Sequence, residues 1–493
     1  MLFVFIILPL VVAGIMPLIG KLSKKVVPDL LTNLTTFFLL AYSVIVGKQI
    51  IFSGVYTTKF SWFGEPMNIS LSLDGFSLLM LVTISVVSFC VTLFSIDYME
   101  HYGHKANYYS LLLIMIAGMN GLVLSTDLFT IYVFLEVAAI ASYGLVAYGL
   151  GHNELEASFK YLMLSAVASG FVVLGISIIF ACTGSLTFSE VAIGIHLVNA
   201  KYLVGFCTAL FLMGFGLKAA LVPFHAWLPD AHPSAPAPIS AMLSGVLIKV
   251  SGAYAIIRIF LNVFGLNYAL STVLMYLGLI SVFVGAIIAI GQNDMKRMLA
   301  YSSISQIGYV FIGIGTGSPL GIMGGLFHIL NHAIFKSLLF LNSGSIERST
   351  GTRELDKMGG LAKQMPLTAT TNAIGSLSVA GVPPFNGFWS KLLIIIALVQ
   401  TQHYVFAVLA ILGSVITLWY YLIIQRNAFF GKPEEIWRNV REAPFWMSFA
   451  TVILALLCIV IGVTFPFVIK TFLIPATNIL ASGVSYLYNF LGY

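Results

Sequence analysis

Residues 211–258 read FLMGFGLKAALVPFHAWLPDAHPSAPAPISAMLSGVLIKVSGAYAIIR. Two lysines, Lys218 and Lys249, stand inside segments that are otherwise apolar, with a Pro- and His-rich break between them. A lysine within a long apolar run is costly in lipid and commonly marks an ion or proton path. That reading depends on what the rest of the chain is. Of its 493 residues, 59% are hydrophobic and 9% are charged, whereas soluble domains carry about 25% charged residues. Such a chain lacks the polar residues needed to cover a water-facing surface. Its apolar segments, about 20 residues each, are too long and continuous for barrel strands. Helices satisfy their own backbone hydrogen bonds in lipid, so the expected fold class is an all-α polytopic membrane protein.

Fourteen transmembrane helices are expected, roughly at 2–20, 28–51, 71–96, 108–125, 127–149, 160–182, 201–227, 236–262, 268–290, 297–315, 320–346, 366–400, 403–430 and 446–473. An even count places both termini on one side. Fifteen of the 24 Lys and Arg residues fall on the side reached after the first segment, among them Lys21, Lys24, Lys25, Lys105, Lys296 and Arg297. Lys48, Lys59, Lys201, Arg258 and Lys470 fall on or near the other side, and Lys218, Lys249, Lys336 and Lys391 fall within segments. The positive-inside rule then makes both termini extracytoplasmic. The first apolar run lacks a preceding basic region and a small-residue cleavage site, so it reads as a retained helix rather than a signal peptide.

The four cysteines, Cys90, Cys182, Cys207 and Cys458, lie in apolar segments without metal-ligand spacing and read as core residues. There is no haem, iron–sulfur or zinc spacing, so no cofactor and no metal site is expected. No phosphate loop of the GxxxxGK[ST] type is present, which argues against ATP hydrolysis.

A weak internal repeat is visible. The seventh segment breaks at Val222-Pro223-Phe224-His225-Ala226-Trp227, and the twelfth at Val382-Pro383-Pro384-Phe385-Asn386-Gly387-Phe388-Trp389. A lysine accompanies each break, Lys218 before the first and Lys391 after the second. The breaks are five segments apart, an odd offset that inverts topology, and matching broken helices are a transporter signature. The expected organisation is an N-terminal three-helix part (1–107), a first inverted five-helix unit (108–262), a second (263–430) and a C-terminal helix (431–493).

Glu136, in DLFTIYVFLEVAAIASYGL, is the one acidic residue clearly in mid-segment, and Lys218 is its natural partner. Burial disfavours a charged lysine and a nearby carboxylate favours it, so a lysine balanced between the two can change protonation when its partner moves. Proline at 223 frees backbone carbonyls beside Lys218. A fixed structural ion pair is the competing interpretation. His328, His332 and Lys336 follow at spacings of four and share one helix face. Histidine titrates near neutrality and can pass protons, although such residues also simply bond neighbouring helices. A His-x-x-x-His pair can bind metal, but no acidic third ligand is near. His225 joins the candidate relay at the first break, while His232 reads as shaping the turn. Ser165, Ser169, Ser302, Ser303 and Ser305 read as helix–helix hydrogen-bonding residues. Nothing singles out a sodium site among such oxygens.

Three stretches, FGLKAALVPFHAWLPDAHPSAPAPISAMLSGVLIKVSGAY, QNDMKRMLAYSSISQIGYV and NHAIFKSLLFL, together resemble the antiporter-like subunit family. That family comprises the proton-pumping membrane subunits of respiratory complex I and the large subunits of Mrp-type multisubunit sodium/proton antiporters. The resemblance implies fourteen helices with two inverted five-helix units, each forming a half-channel, joined by a central polar axis. It also implies that Glu136 matches the family's acid on the fifth helix, Lys218 its lysine on the seventh, Lys249 its central lysine on the eighth and Lys391 its exit residue on the broken twelfth. His328, His332 and Lys336 match its histidine-bearing eleventh helix. Within the family, length and the lysine at 391 look most like the D-type members of the Mrp antiporters.

The expected function is therefore that of a proton-translocating subunit of a multisubunit Na+/H+ antiporter in the bacterial cell membrane, not an enzyme in itself. Its expected partners are other membrane subunits, H+, Na+ and the lipid bilayer, with no nucleic acid. Protons would enter from outside past Glu136–Lys218, cross by Lys249 and the histidines, and leave by Lys391 toward the cytoplasm. Two alternatives stand beside it. One is a proton-pumping subunit of a complex I-type quinone oxidoreductase or a membrane-bound hydrogenase. The other is a structural scaffold whose buried charges only hold helices together.

Overall fold

The computed structural model describes residues 1–22, 25–60, 69–197, 201–432 and 435–484. Lys24, counted above with the basic residues, lies outside them. The first six crossing helices are α1 (Val4–Leu22), α2 (Val26–Ser53), α3 (Gly75–Tyr98), α4 (Lys105–Leu124), α5 (Leu128–Val146) and α6 (His152–Thr183). Next come α7 (Lys201–Lys218), α8 (Ala237–Val263), α9 (Tyr268–Ile290), α10 (Met295–Gly315) and α11 (Pro319–Thr350). The last three are α12, in halves Pro366–Ala380 and Asn386–Gln400, α13 (Tyr404–Phe429) and α14 (Phe445–Val463, continuing as Phe465–Ala481). Among the described residues, 12 helices are long and apolar enough to cross a membrane by themselves. The interrupted α7 and α12 complete the expected fourteen. The protein is a multi-pass membrane protein.

Several boundaries differ from expectation. α6 begins at His152 rather than near 160, because the polar stretch His152–Glu156 continues its helix beyond the apolar run. α14 extends to Ala481 and is interrupted at Thr464, whose backbone leaves helical geometry just before Pro466. A two-stranded antiparallel hairpin, β1 (Tyr56–Phe60) and β2 (Ile69–Leu73), and a short helix (Phe188–Leu197) occupy loops. Neither is long enough to cross a membrane, so neither registers in a search for apolar spans.

The core is inverted relative to a water-soluble protein. The apolar windows of α8 and α11 are buried throughout and that of α10 almost throughout, while α1, α2, α6 and α9 face outward along much of their length. The central helices carry the buried polar groups Lys249, Ser302, Ser303, His328, His332 and Lys336. Lipid favours apolar side chains outside, so polar side chains collect where other helices supply partners. Close packing there uses small residues: a methyl group at Gly285 of α9 would lie 2.6 Å from the Ser305 backbone nitrogen of α10.

α8 departs from regular helix. Its winding is π-type over Leu243–Leu247, Lys249–Tyr254 and Arg258–Val263. Such widened turns shift the backbone ladder by one residue and recur at functional sites. Gly252 brings this helix against the backbone of Ala219, the residue after Lys218.

Another buried acid–base pair, Asp74 with Arg258, lies near the segment ends where the sequence put both residues. Asp74 caps α3, accepting from the Ser77 backbone nitrogen at 2.8 Å, and pairs with Arg258 of α8 at 2.8 Å. Both side chains are buried, 4% and 5% exposed. The guanidinium also rests on the rings of Phe76 and Tyr254 at 5.1 and 5.4 Å. Burial alone would raise the Asp74 carboxyl, but the Arg258 charge and the hydrogen bonds from Arg258 and Ser77 reverse this and hold it below its ordinary value. A depressed folded-state value stabilises the fold above the ordinary carboxylate range, and that contribution is lost as pH falls through the depressed value. Sequence placed Asp74 and Arg258 near segment ends, 184 residues apart, with no local signal joining them.

Removing one partner of a buried pair strands the other, which costs about 3–5 kcal/mol. Arg258→Met is therefore expected to lower the thermal midpoint of the detergent-purified protein sharply, and adding Asp74→Asn is expected to restore much of it. An unchanged midpoint for Arg258→Met would show that the pair contributes nothing.

Candidate functional site

α5 starts at Asp127, whose carboxylate accepts from the Thr130 backbone nitrogen at 2.7 Å, and carries Glu136 at mid-length. α7 ends at Lys218, where the chain leaves helical geometry before Pro223. The two side chains meet, Lys218 Nζ standing 3.4 Å from Glu136 Oε1. Their surroundings differ: the lysine is 2% exposed and the glutamate 26%.

α6 completes this cluster. Lys218 donates to Ser165 Oγ at 2.5 Å, and Ser169 donates a short hydrogen bond to Glu136 Oε1. Ser169 also donates to the Ser165 carbonyl at 2.9 Å. Sequence reasoning assigned these serines to helix packing and missed their place beside the charges. The available signal was their spacing of four on α6, which puts both hydroxyls on one helix face.

In the centre, Lys249 donates a short hydrogen bond to the carbonyl of Ser244, five residues earlier in the π-wound part of α8. Ser244 shares a hydrogen bond of 2.7 Å with Ser303 of α10. His332 is wholly buried and lies within electrostatic range of Lys249, Lys336 and Lys391. His332 and His328 lie ring over ring, centroids 6.2 Å apart. Lys336 turns from the histidines to donate to the Leu299 carbonyl at 3.1 Å and to the Tyr421 hydroxyl at 2.9 Å.

At the second break, His328 Nδ1 bonds Ser390 at 3.0 Å, and the Asn331 side chain donates to the Asn386 carbonyl at 2.9 Å. Lys391 directs its ammonium at the face of Tyr309, 4.6 Å from the ring centre. Its environment is thus aromatic, where that of Lys218 is a carboxylate. The break is fitted to α14: a side chain at Gly462 would strike the backbone of Pro384 and Asn386, and Trp389 stacks on Phe465 at 3.6 Å. His225 is half-buried beside the first break. His232 is completely buried and stacked on Phe340 at 4.5 Å, deeper than a turn-shaping residue requires.

Beside the first break, a cavity of about 500 Å³ opens between the start of α6, the chain after the break, the start of α10 and the end of α11. Asp230 lies between Lys160 at 3.3 Å and Arg297 at 3.6 Å. Arg353 reaches Asp294 at 3.1 Å and Glu347 at 3.5 Å, and Lys296 reaches Glu347 at 2.9 Å.

The chain and its fold have known counterparts. A family model described as NADH:quinone oxidoreductase/Mrp antiporter, TM, matches residues 125–417. The chain belongs to that family. A second model, NADH-Ubiquinone oxidoreductase (complex I), chain 5 N-terminus, matches residues 62–109. The chain is 32% identical to the N-type subunit of the NADH-quinone oxidoreductase of Desulforudis audaxviator, covering 89% of this chain and 88% of that protein. It is also 32% identical to the D-type subunit of the Na(+)/H(+) antiporter of Alkalihalophilus pseudofirmus, covering 87% of each. Its structure is similar to a chain of the Mrp complex from Dietzia, with a TM-score of 0.92 at 27% identity over 100% of this chain and 99% of that one. A chain of the membrane-bound sulfane sulfur reductase, an archaeal respiratory membrane complex, aligns with a TM-score of 0.90 at 31% identity over 99% of both. Antiporter-like membrane subunits of multisubunit complexes are thus its relatives.

A hydrogen bond to a charged group contributes about 1.5–3 kcal/mol, roughly a tenfold rate effect or more where the interaction serves the rate-limiting state. Ser165→Ala is expected to slow ion exchange by about tenfold in everted membrane vesicles without reducing the amount of assembled protein. Unaltered exchange would assign Ser165 to packing alone.

Proposed function

We propose that the chain is the proton-translocating subunit of a multisubunit sodium/proton antiporter in a bacterial cell membrane. The observation that carries this reading is the contact of Glu136 with Lys218 beside a broken helix, continued by buried groups to Lys391 at a second broken helix. Glu136 and Lys218 form a gated pair with Ser165 and Ser169 as its hydrogen-bonding frame. Lys249 takes the proton onward, and His332 and His328 bridge to Lys391, with Lys336 on the same helix biasing the row by its charge. His225 serves the first break. Both ring nitrogens of His332 and Nε2 of His328 lack a protein partner among the described residues. Buried nitrogens require hydrogen bonds, and water threaded along the row supplies both the bonds and the proton path.

The charged cavity beside the first break is lined by Lys160, Arg297 and Arg353 of the Lys- and Arg-rich face. In this reading the Glu136–Lys218 pair therefore serves the cytoplasmic side and Lys391 the outer side, the reverse of the order expected from sequence. Both termini are extracytoplasmic, and helices α4–α8 and α9–α13 are the two inverted units. Proton movement is coupled to sodium export, with other membrane subunits as partners.

A pump module of a redox complex is the second reading, favoured by the equal identity to a chain of an NADH-quinone oxidoreductase and by the likeness to a respiratory reductase chain. Subunits co-purified from the native membrane separate the two: small membrane proteins alone support antiport, whereas iron–sulfur subunits support the redox complex.

Glu136→Ala and Lys218→Ala are each expected to abolish sodium-driven pH change in everted vesicles while the complex still assembles. Normal exchange in either assembled variant would eliminate the relay and leave the buried charges a scaffold.

A further inference from the structure

Between the charged cavity and Lys218 stands a cluster of aromatic rings. Trp227 ends the first break and stacks face to face on Tyr161 of α6, centroids 4.2 Å apart and planes within 8°. Tyr143 of α5 meets Tyr161 edge-on at 4.7 Å and 87°. All three are buried. On the cavity side, the cluster adjoins the lining residues directly in sequence: Lys160 precedes Tyr161, and Pro229 follows Trp227 by two. On the lysine side, Tyr161 stands one helical turn from Ser165 on the same face of α6, the serine that accepts from Lys218. The Trp227 indole donates to the carbonyl of Leu217, the residue before Lys218, at 2.9 Å. One side chain therefore closes the way to the cavity and also holds the helix end that carries the lysine.

We propose that Trp227 and Tyr161 form the gate between the charged cavity and the Glu136–Lys218 pair, with Trp227 acting as a positioning residue for Lys218. This rests on the relay reading above. The stack blocks continuous water, and the indole–carbonyl bond links gate position to lysine position. When the indole swings from Tyr161, its bond to Leu217 is broken and Lys218 is released from its place against Ser165. Opening to water and movement of the lysine thus occur together. The second break ends in the same way, Trp389 stacking on Phe465, which marks a ring closure as a shared element of both breaks.

The complex as it co-purifies is placed in phosphatidylethanolamine–phosphatidylglycerol vesicles containing a pH-sensitive dye. Trp227→Ala opens space for several waters, at about 30 Å³ each, and is expected to raise passive proton leak by about tenfold or more without sodium. Trp227→Phe keeps the stack but loses the indole bond, so it should stay tight and exchange about tenfold more slowly. Adding Lys218→Ala to Trp227→Ala should abolish the leak. If Trp227→Ala does not assemble, Tyr161→Leu is read in its place and should leak equally. No leak in an assembled variant, or a leak that persists without Lys218, overturns the gate. Exchange retained by Lys218→Ala alone in the same vesicles overturns the relay itself, whereas a missing leak with that variant inactive overturns only the gate.

Discussion

An ammonium group in a low-dielectric interior must find compensation, and the bundle is arranged around that requirement. Four of the buried lysines belong to the candidate relay, and each has a different solution. Lys218 has a carboxylate and a serine, Lys249 has the carbonyl of a widened helical turn, Lys336 has a carbonyl and a tyrosine, and Lys391 has an aromatic face. The cost of an unpaired charge falls with the quality of these partners. A graded series of environments along one row is what separates a path from an isolated ion pair.

The buried Asp74–Arg258 pair obeys the same constraint with a different outcome. It has two rings, a capped helix start and several hydrogen bonds around it, and no broken helix beside it. The Glu136–Lys218 contact is longer, one partner is partly exposed, and the helix ends at the lysine. Full compensation suits an anchor between α3 and α8. Partial compensation suits the role proposed above, in which Lys218 changes protonation as its partner moves.

Composition and apolar run length were sufficient for the class of fold and for most crossing helices, because lipid imposes both directly. Lys218, Lys249 and Lys391 were legible as intruders in apolar runs, and the breaks as clustered prolines. Ser165 and Ser169 were not, since a serine in a membrane helix looks the same whether it meets a charge or a neighbouring backbone. The pairing of Arg258 with Asp74 was not legible, because distance to a segment end says nothing about an acid 184 residues away. The π-wound turns of α8 leave no mark in hydropathy.

The fit of α14 to the second break has a consequence for how the chain is divided. The larger family match ends at residue 417, yet Trp389 finds its stacking partner at Phe465 and the close approach at Pro384 is made by Gly462. The same helix lies against the start of α3, where a side chain at Gly75 would strike the backbone of Pro475 and Ala476. A single terminal helix thus braces the second broken helix against a helix that precedes the first. A fragment cut where that family match ends would lose the brace, so the matched stretch and the unit of mechanical integrity are different lengths of the same chain.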